Sequence, residues 1–229
     1  MKIIRTFFPL VAGCCVLVGP ASPGAAAEAK NQTAPAGAPG EQLVFHTGWK
    51  GERIALPPTF APAMKLKGVE VIRFAPGMFQ AQSESFFSYA FVFSLVKEQP
   101  LTREIIQREM LVYYQGLAES VSKSKGRTVD AAKFTFEMEP AKAATAVPEQ
   151  ISATTKVTQY AGKLAWVEPF VTGQSQTLHF EIQFWTDPGT TRDYLFVCTS
   201  PKAPGGTEGI WRELRSLRRS FEFRSKGAN

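Results

Sequence analysis

The sequence predicts an α+β fold, a largely antiparallel sheet sandwiched between a long middle helix and a C-terminal helix. Apolar runs of period two come first, a helical stripe interrupts them, further period-two runs follow, and a second helical stripe stands near the end. That order differs from the regular strand-helix alternation of a parallel sheet. Eighteen phenylalanines, many of them in alternating runs, supply aromatic strand faces for a common interior. With 44% hydrophobic and 20% charged residues in 229, the chain is neither disordered nor fibrous and can bury a core.

The elements follow in order. "ERIALPP" (52–58) and "VEVIRFAP" (69–76) are short strands ended by prolines, which cannot donate to a sheet ladder. In "SFFSYAFVFSLVK" the residues Phe87, Tyr89, Phe91, Phe93 and Leu95 share one face, while Ala90, Val92 and Val96 keep the other apolar. This strand is therefore expected to be central and covered on both sides. Thr102 is the N-cap of a helix whose stripe is Ile106, Met110, Tyr113, Tyr114, Leu117 and Val121. Glu104 suits its positive end, and Lys123, Lys125 and Gly126 suit the other. The two tyrosine rings are expected in the core, with their hydroxyls reaching the surface.

"KFTFEM" alternates, an Ala/Pro-rich connection runs from Pro140 to Pro148, and "ATTKVTQYAGKLAWVEPF" predicts two strands meeting at Ala161 and Gly162. "TLHFEIQFW" sets Leu178, Phe180, Ile182 and Phe184 on one face and His179, Glu181, Gln183 and Trp185 on the other. "DPGTTRDYLFVC" then turns and returns. Ile210, Trp211, Leu214, Leu217 and Phe221 form the apolar arc of the last helix, with "SFEF" as a closing strand.

The N-terminus sets the address. Lys2 and Arg5 precede an apolar stretch from Phe7 to Val18, and Ala25 and Ala27 occupy the small-residue positions before a cleavage site. Residues 1–27 are expected to be a signal peptide cut between Ala27 and Glu28, which places the product in a bacterial periplasm or outside the cell. "VAGC" (11–14) resembles the lipobox of bacterial lipoproteins, and the alternative is a chain anchored by lipid through Cys14. An Ala/Pro/Gly-rich linker over 28–40 leads into a single domain over 41–229. No later stretch approaches the roughly 18 apolar residues of a membrane-spanning helix, so no transmembrane span is expected in the mature chain.

Formal charge is +6, and loss of Lys2 and Arg5 leaves 24 basic against 20 acidic residues, or +4. So mild a balance argues against nucleic acid. Cys198 is the one cysteine beyond the leader, and its place in "YLFVCTS" marks it as a buried strand residue; a nucleophilic role would need a nearby base. Only His46 and His179 offer imidazoles. His179 and Glu181 share a strand face about 7 Å apart, close enough to hold a water or substrate between them. No nucleophile elbow, paired-His zinc helix, Cys-pair zinc spacing or phosphate-cradling glycine loop occurs, and no cofactor or metal is expected. Arg212, Arg215, Arg218 and Arg219 lie across from the apolar arc of the last helix or at its margin, as a candidate surface for an acidic protein or an anionic envelope.

"YLFVCTSP", a spacer and "IWRELRSLRRSFEF" resemble the ending of the PsbP-like family, where a strand, a tryptophan-bearing helix and a terminal Ser-Phe recur. "ERIALPPTF" and "QYAGKLAWVEPF" are similar to its proline-bearing opening strand and glycine-turned middle strands. The likeness covers roughly residues 50–224 and mostly describes packing. It implies an antiparallel sheet between helices, serving assembly, stabilisation or protein binding. With no metal-ligand cluster in this sequence, the family's metal-linked and photosystem roles do not carry over. The expected function is thus an exported, non-enzymatic protein-binding or assembly-factor domain. The alternative is a small secreted hydrolase using His179 with Glu181 or Glu168.

Overall fold

The computed structural model describes residues 42–142, 145–151, 153–189, 192–205 and 209–224. The expected signal peptide, its cleavage point, Cys14 and the 28–40 linker lie outside the described residues. Seven strands form one antiparallel sheet: β2 (Gly51–Leu56), β3 (Gly68–Phe74), β4 (Tyr89–Leu95), β5 (Thr135–Pro140), β6 (Thr158–Val167), β7 (Ser175–Asp187) and β8 (Arg192–Ser200). Their spatial order is β2-β3-β4-β8-β7-β6-β5, which puts β4 and β8 side by side in the interior. A separate ribbon pairs β1 (Gln42–Val44) with β9 (Glu222–Arg224).

Each sheet face carries a helix. On one, Phe91 and Phe93 of β4, Phe180 and Ile182 of β7, and Val197 of β8 pack with Ile106, Met110 and Tyr114 of α1 (Arg103–Ser124). On the other, Val92, Phe196 and Cys198 pack with Trp211, Leu214 and Leu217 of α2 (Ile210–Arg219), joined by Leu43 of β1 and Phe223 of β9. A sheet covered on both faces has no wet side at its centre, and β4 and β8 are buried along their whole length. Each fully buried Phe contributes roughly 1.5–3 kcal/mol relative to exposure.

The predicted α+β class, the central β4 and the apolar arc of α2 are therefore present. Thr102 caps α1 through its hydroxyl, which accepts from the Ile105 amide at 3.3 Å. Three local expectations change. β6 is one continuous strand rather than two, because Gly162 answers crowding instead of a turn. A Cβ there would stand 3.0 Å from Cζ of Phe136 and 3.2 Å from Cβ of Phe180. The closing strand starts at Glu222, with Phe221 buried under the ribbon. The tyrosine hydroxyls stay inside: Tyr114 meets the Tyr89 hydroxyl at 2.7 Å, and Tyr113 donates to Glu70 at 3.1 Å.

Glu70 is wholly buried on the α1 face, and among the described residues no cation pairs with it. Burial pushes its pKa up to about 8, the Tyr113 hydrogen bond pulls against this, and Glu52 adds repulsion. The unfolded chain releases this proton near 4.5 and the folded one holds it to about 8. Between those values the unfolded state binds fewer protons, so Glu70 lowers stability as pH rises. Glu70→Gln is expected to raise stability at pH 7 by on the order of 3 kcal/mol and to give no gain below the unfolded pKa. Denaturant unfolding of both proteins across this range tests it, and parallel pH curves would contradict the assignment.

Candidate functional site

The α2 face of the sheet carries its polar side chains in rows set by register. One row runs Ala90, Cys198, Glu181, Ala161, Glu139, and the next runs Ser200, His179, Lys163, Glu137. α2 lies over the first of these. Gly209 turns the chain into the helix with φ of 67°, a conformation that side chains with a Cβ resist. Trp211 then fixes the first turn by donating its indole N–H to the Lys202 carbonyl at 2.8 Å.

The four candidate arginines divide into two pairs. Arg215 donates from Nε (3.0 Å) and Nη2 (2.6 Å) to Oε1 of Glu181, and Arg218 donates from Nη2 to Oε2 at 3.0 Å. Arg218 has no exposed surface and gives its Nε–H to the Ala146 carbonyl at 3.0 Å. The place expected for it at the helix margin is thus corrected: it faces the sheet because a buried carboxylate stands beneath it. Arg215 is partly buried over the Trp211 ring, and the hydrogen bonds of Glu181 hold its guanidinium above its usual pKa. Arg212 and Arg219 are exposed, and among the described residues neither forms an ion pair. With Arg215 and Ser216 they line a shallow depression along one stripe of the helix.

Segment 145–151 covers the sheet next to Arg218. The Gln183 side-chain amide donates to both the Thr145 and Ala146 carbonyls, and Gln159 accepts from the Thr145 amide at 2.8 Å. The Ala/Pro-rich connection is in this part a strap, held by two glutamines that sequence reading left unassigned.

His179 is half-buried on the row beyond Glu181. Burial first and the neighbouring Lys163 second depress its pKa, favouring the neutral imidazole. It makes no hydrogen bond or ion pair among the described residues, whereas both acids read as its helpers are engaged elsewhere. Glu181 is held by two arginines. Glu168 is buried and accepts from the Val171 and Thr172 amides at 3.0 and 2.6 Å, and from the Thr172 hydroxyl at 2.9 Å. It knots the turn after β6, about 17 Å along the sheet from His179 by strand rise.

Cys198 is buried, as expected. Burial raises its thiol pKa to about 12 against the opposing pull of Arg218, so it is an inert thiol rather than a nucleophile. Among the described residues no group of three or more His, Cys, Asp or Glu could hold a metal, and no helix is long and apolar enough to cross a membrane.

Comparison of the chain with protein families, with curated proteins and with solved structures finds no match in any of the three. The PsbP-like resemblance therefore rests on the quoted segments alone.

Two outcomes follow from these bond sets. Glu168→Ala strands several amides and should cost about 2–3 kcal/mol in denaturant unfolding; a loss under about 0.5 kcal/mol would contradict the knotted turn. Cys198 should resist an aromatic disulfide reagent at mildly alkaline pH until the protein is unfolded, and rapid labelling of the native protein would show the thiol to be accessible.

Proposed function

We propose that this chain is an exported, non-enzymatic protein-binding or assembly-factor domain that captures an acidic protein surface through Arg212 and Arg219. The observation that carries this reading is the division of labour on α2. Arg215 and Arg218 anchor the helix from below through Glu181. Arg212 and Arg219 stand outward on the same stripe, about 10 Å apart by helix rise. Cations on an anchored helix lose little backbone entropy on binding, which favours recognition of a rigidly spaced pair of carboxylates. The absence of a catalytic motif from the sequence, and the internal engagement of Glu168 and Glu181, support a binding role. The PsbP-like likeness agrees with it.

The second reading, a hydrolase at His179, keeps one supporting feature, the half-exposed neutral imidazole beside Lys163. Turnover of an ester or phosphoester that vanishes in His179→Ala would favour it, and turnover indifferent to that change would end it.

The binding reading is tested by affinity capture from the native envelope. Arg212→Gln/Arg219→Gln should fold like the parent, lose capture several-fold and flatten its salt dependence. Undiminished capture with the same salt dependence would exclude this surface.

A further inference from the structure

At one end of the sheet three segments meet: the β3–β4 connection (75–88), the β6–β7 turn (168–174) and the exit of α1 (125–127). The Phe79 and Phe170 rings lie 5.8 Å apart, the Lys125 ammonium donates to the Phe170 carbonyl, and Arg127 donates to the Pro169 carbonyl at 2.5 Å. Among the described residues the exposed large apolar side chains are Phe79 (53%), Val96 (49%) and Val171 (38%). Two of these three stand at this end. They are mounted on a built base. Glu168 gathers the amides of Phe170, Val171 and Thr172, and Phe87 lies buried beneath, in contact with Phe170 and Trp166, at a φ of 47° that a bulky residue rarely adopts. Folding thus spends a buried carboxylate and a strained backbone on holding Val171 and Phe79 in water.

Charge identifies the occupant. Lys123 and Lys125 are exposed in and just after the last turn of α1, and Lys125 and Arg127 reach the β6–β7 turn through the Phe170 and Pro169 carbonyls. Of the acids around this end, Glu168 is turned inward, Glu84 pairs with Lys202 and Asp130 pairs with Lys133, while Glu119, one turn before Lys123 on α1, is exposed. Two side chains on loop tips fall far short of the roughly 600–800 Å² per partner of a specific protein interface. An aromatic and an aliphatic tip flanked by lysines matches the headgroup boundary of a bilayer, where shallow apolar insertion and attraction to anionic lipid act together.

We propose that this end docks on an anionic lipid surface, Phe79 and Val171 entering the headgroup-acyl boundary while Lys123 and Lys125 meet lipid phosphates. The contact is weak and reversible by itself, and it supplies one of the two signals that stable attachment needs. It is independent of the arginine pair on α2.

The full chain, recovered as its host exports it, is titrated with phosphatidylcholine vesicles with or without phosphatidylglycerol. Binding should favour the anionic vesicles and weaken with salt. Phe79→Ser/Val171→Ser should bind about ten-fold more weakly, and Lys123→Gln/Lys125→Gln should lose only the anionic preference. Near-parental thermal midpoints of both variants separate lost docking from lost fold, and the lysine pair tests the surface even if the serine pair unfolds. A parent that ignores both vesicles, or a folded serine variant that binds like the parent, overturns the proposal. Capture of an envelope protein through Phe79 and Val171 without vesicle binding overturns it too, in favour of a protein partner.

Discussion

The carboxylate of Glu181 lies between β7 and α2, and the layout of that whole face follows from how its charge is met. A carboxylate taken out of water costs several kcal/mol unless cations and donors surround it. Here Arg215 and Arg218 supply them, and both belong to the same helix. α2 can therefore seat in one rotation only. That rotation aims Leu214 and Leu217 at the sheet and Arg212 and Arg219 at solvent. Arg218 extends the arrangement by holding the Ala146 carbonyl, which Gln183 also binds, so strap, sheet and helix share one polar junction.

The opposite face solves the same problem in another way. Among the described residues Glu70 is met by a phenol and by no cation, and burial keeps its proton on at neutral pH. Its neutral carboxyl sits among rings, close to the Tyr89–Tyr114 hydroxyl pair. Glu181 is paired with two arginines, whereas Glu70 is neutral and bonded to a tyrosine. A charged pair fixes direction strongly, which suits a short helix with few apolar side chains. α1 is 22 residues long and already carries an apolar stripe, so it needs less of such fixing.

The α+β class, the central β4 and both helices were legible in the sequence because apolar periodicity reports burial directly. Gly162 misled because glycine marks a turn and a crowded strand alike, and only the rings of Phe136 and Phe180 distinguish the two. The arginines misled for a related reason. Helical spacing placed Arg218 at the edge of the apolar arc, but its burial depends on Glu181, a residue 37 positions away that periodicity had assigned to a catalytic face. The candidate site was therefore half readable: Arg212 and Arg219 are where the pattern puts them, Glu181 and Arg218 acquire their roles from each other across 37 positions, and Glu168 takes its role from the turn it closes. Phe79 and Val171 gave no sequence signal, since an apolar residue in a loop is as often buried as exposed.

The central claim is that Glu181 and Arg218 act as one unit, and a double-mutant cycle measures it directly. Glu181→Gln alone leaves Arg218 buried without its counter-charge and should cost on the order of 3–5 kcal/mol. In an Arg218→Met background the same change should cost at least about 2 kcal/mol less, a coupling well above experimental scatter. Effects that add within about 0.5 kcal/mol would contradict the account, because the helix would then be held by its apolar contacts alone.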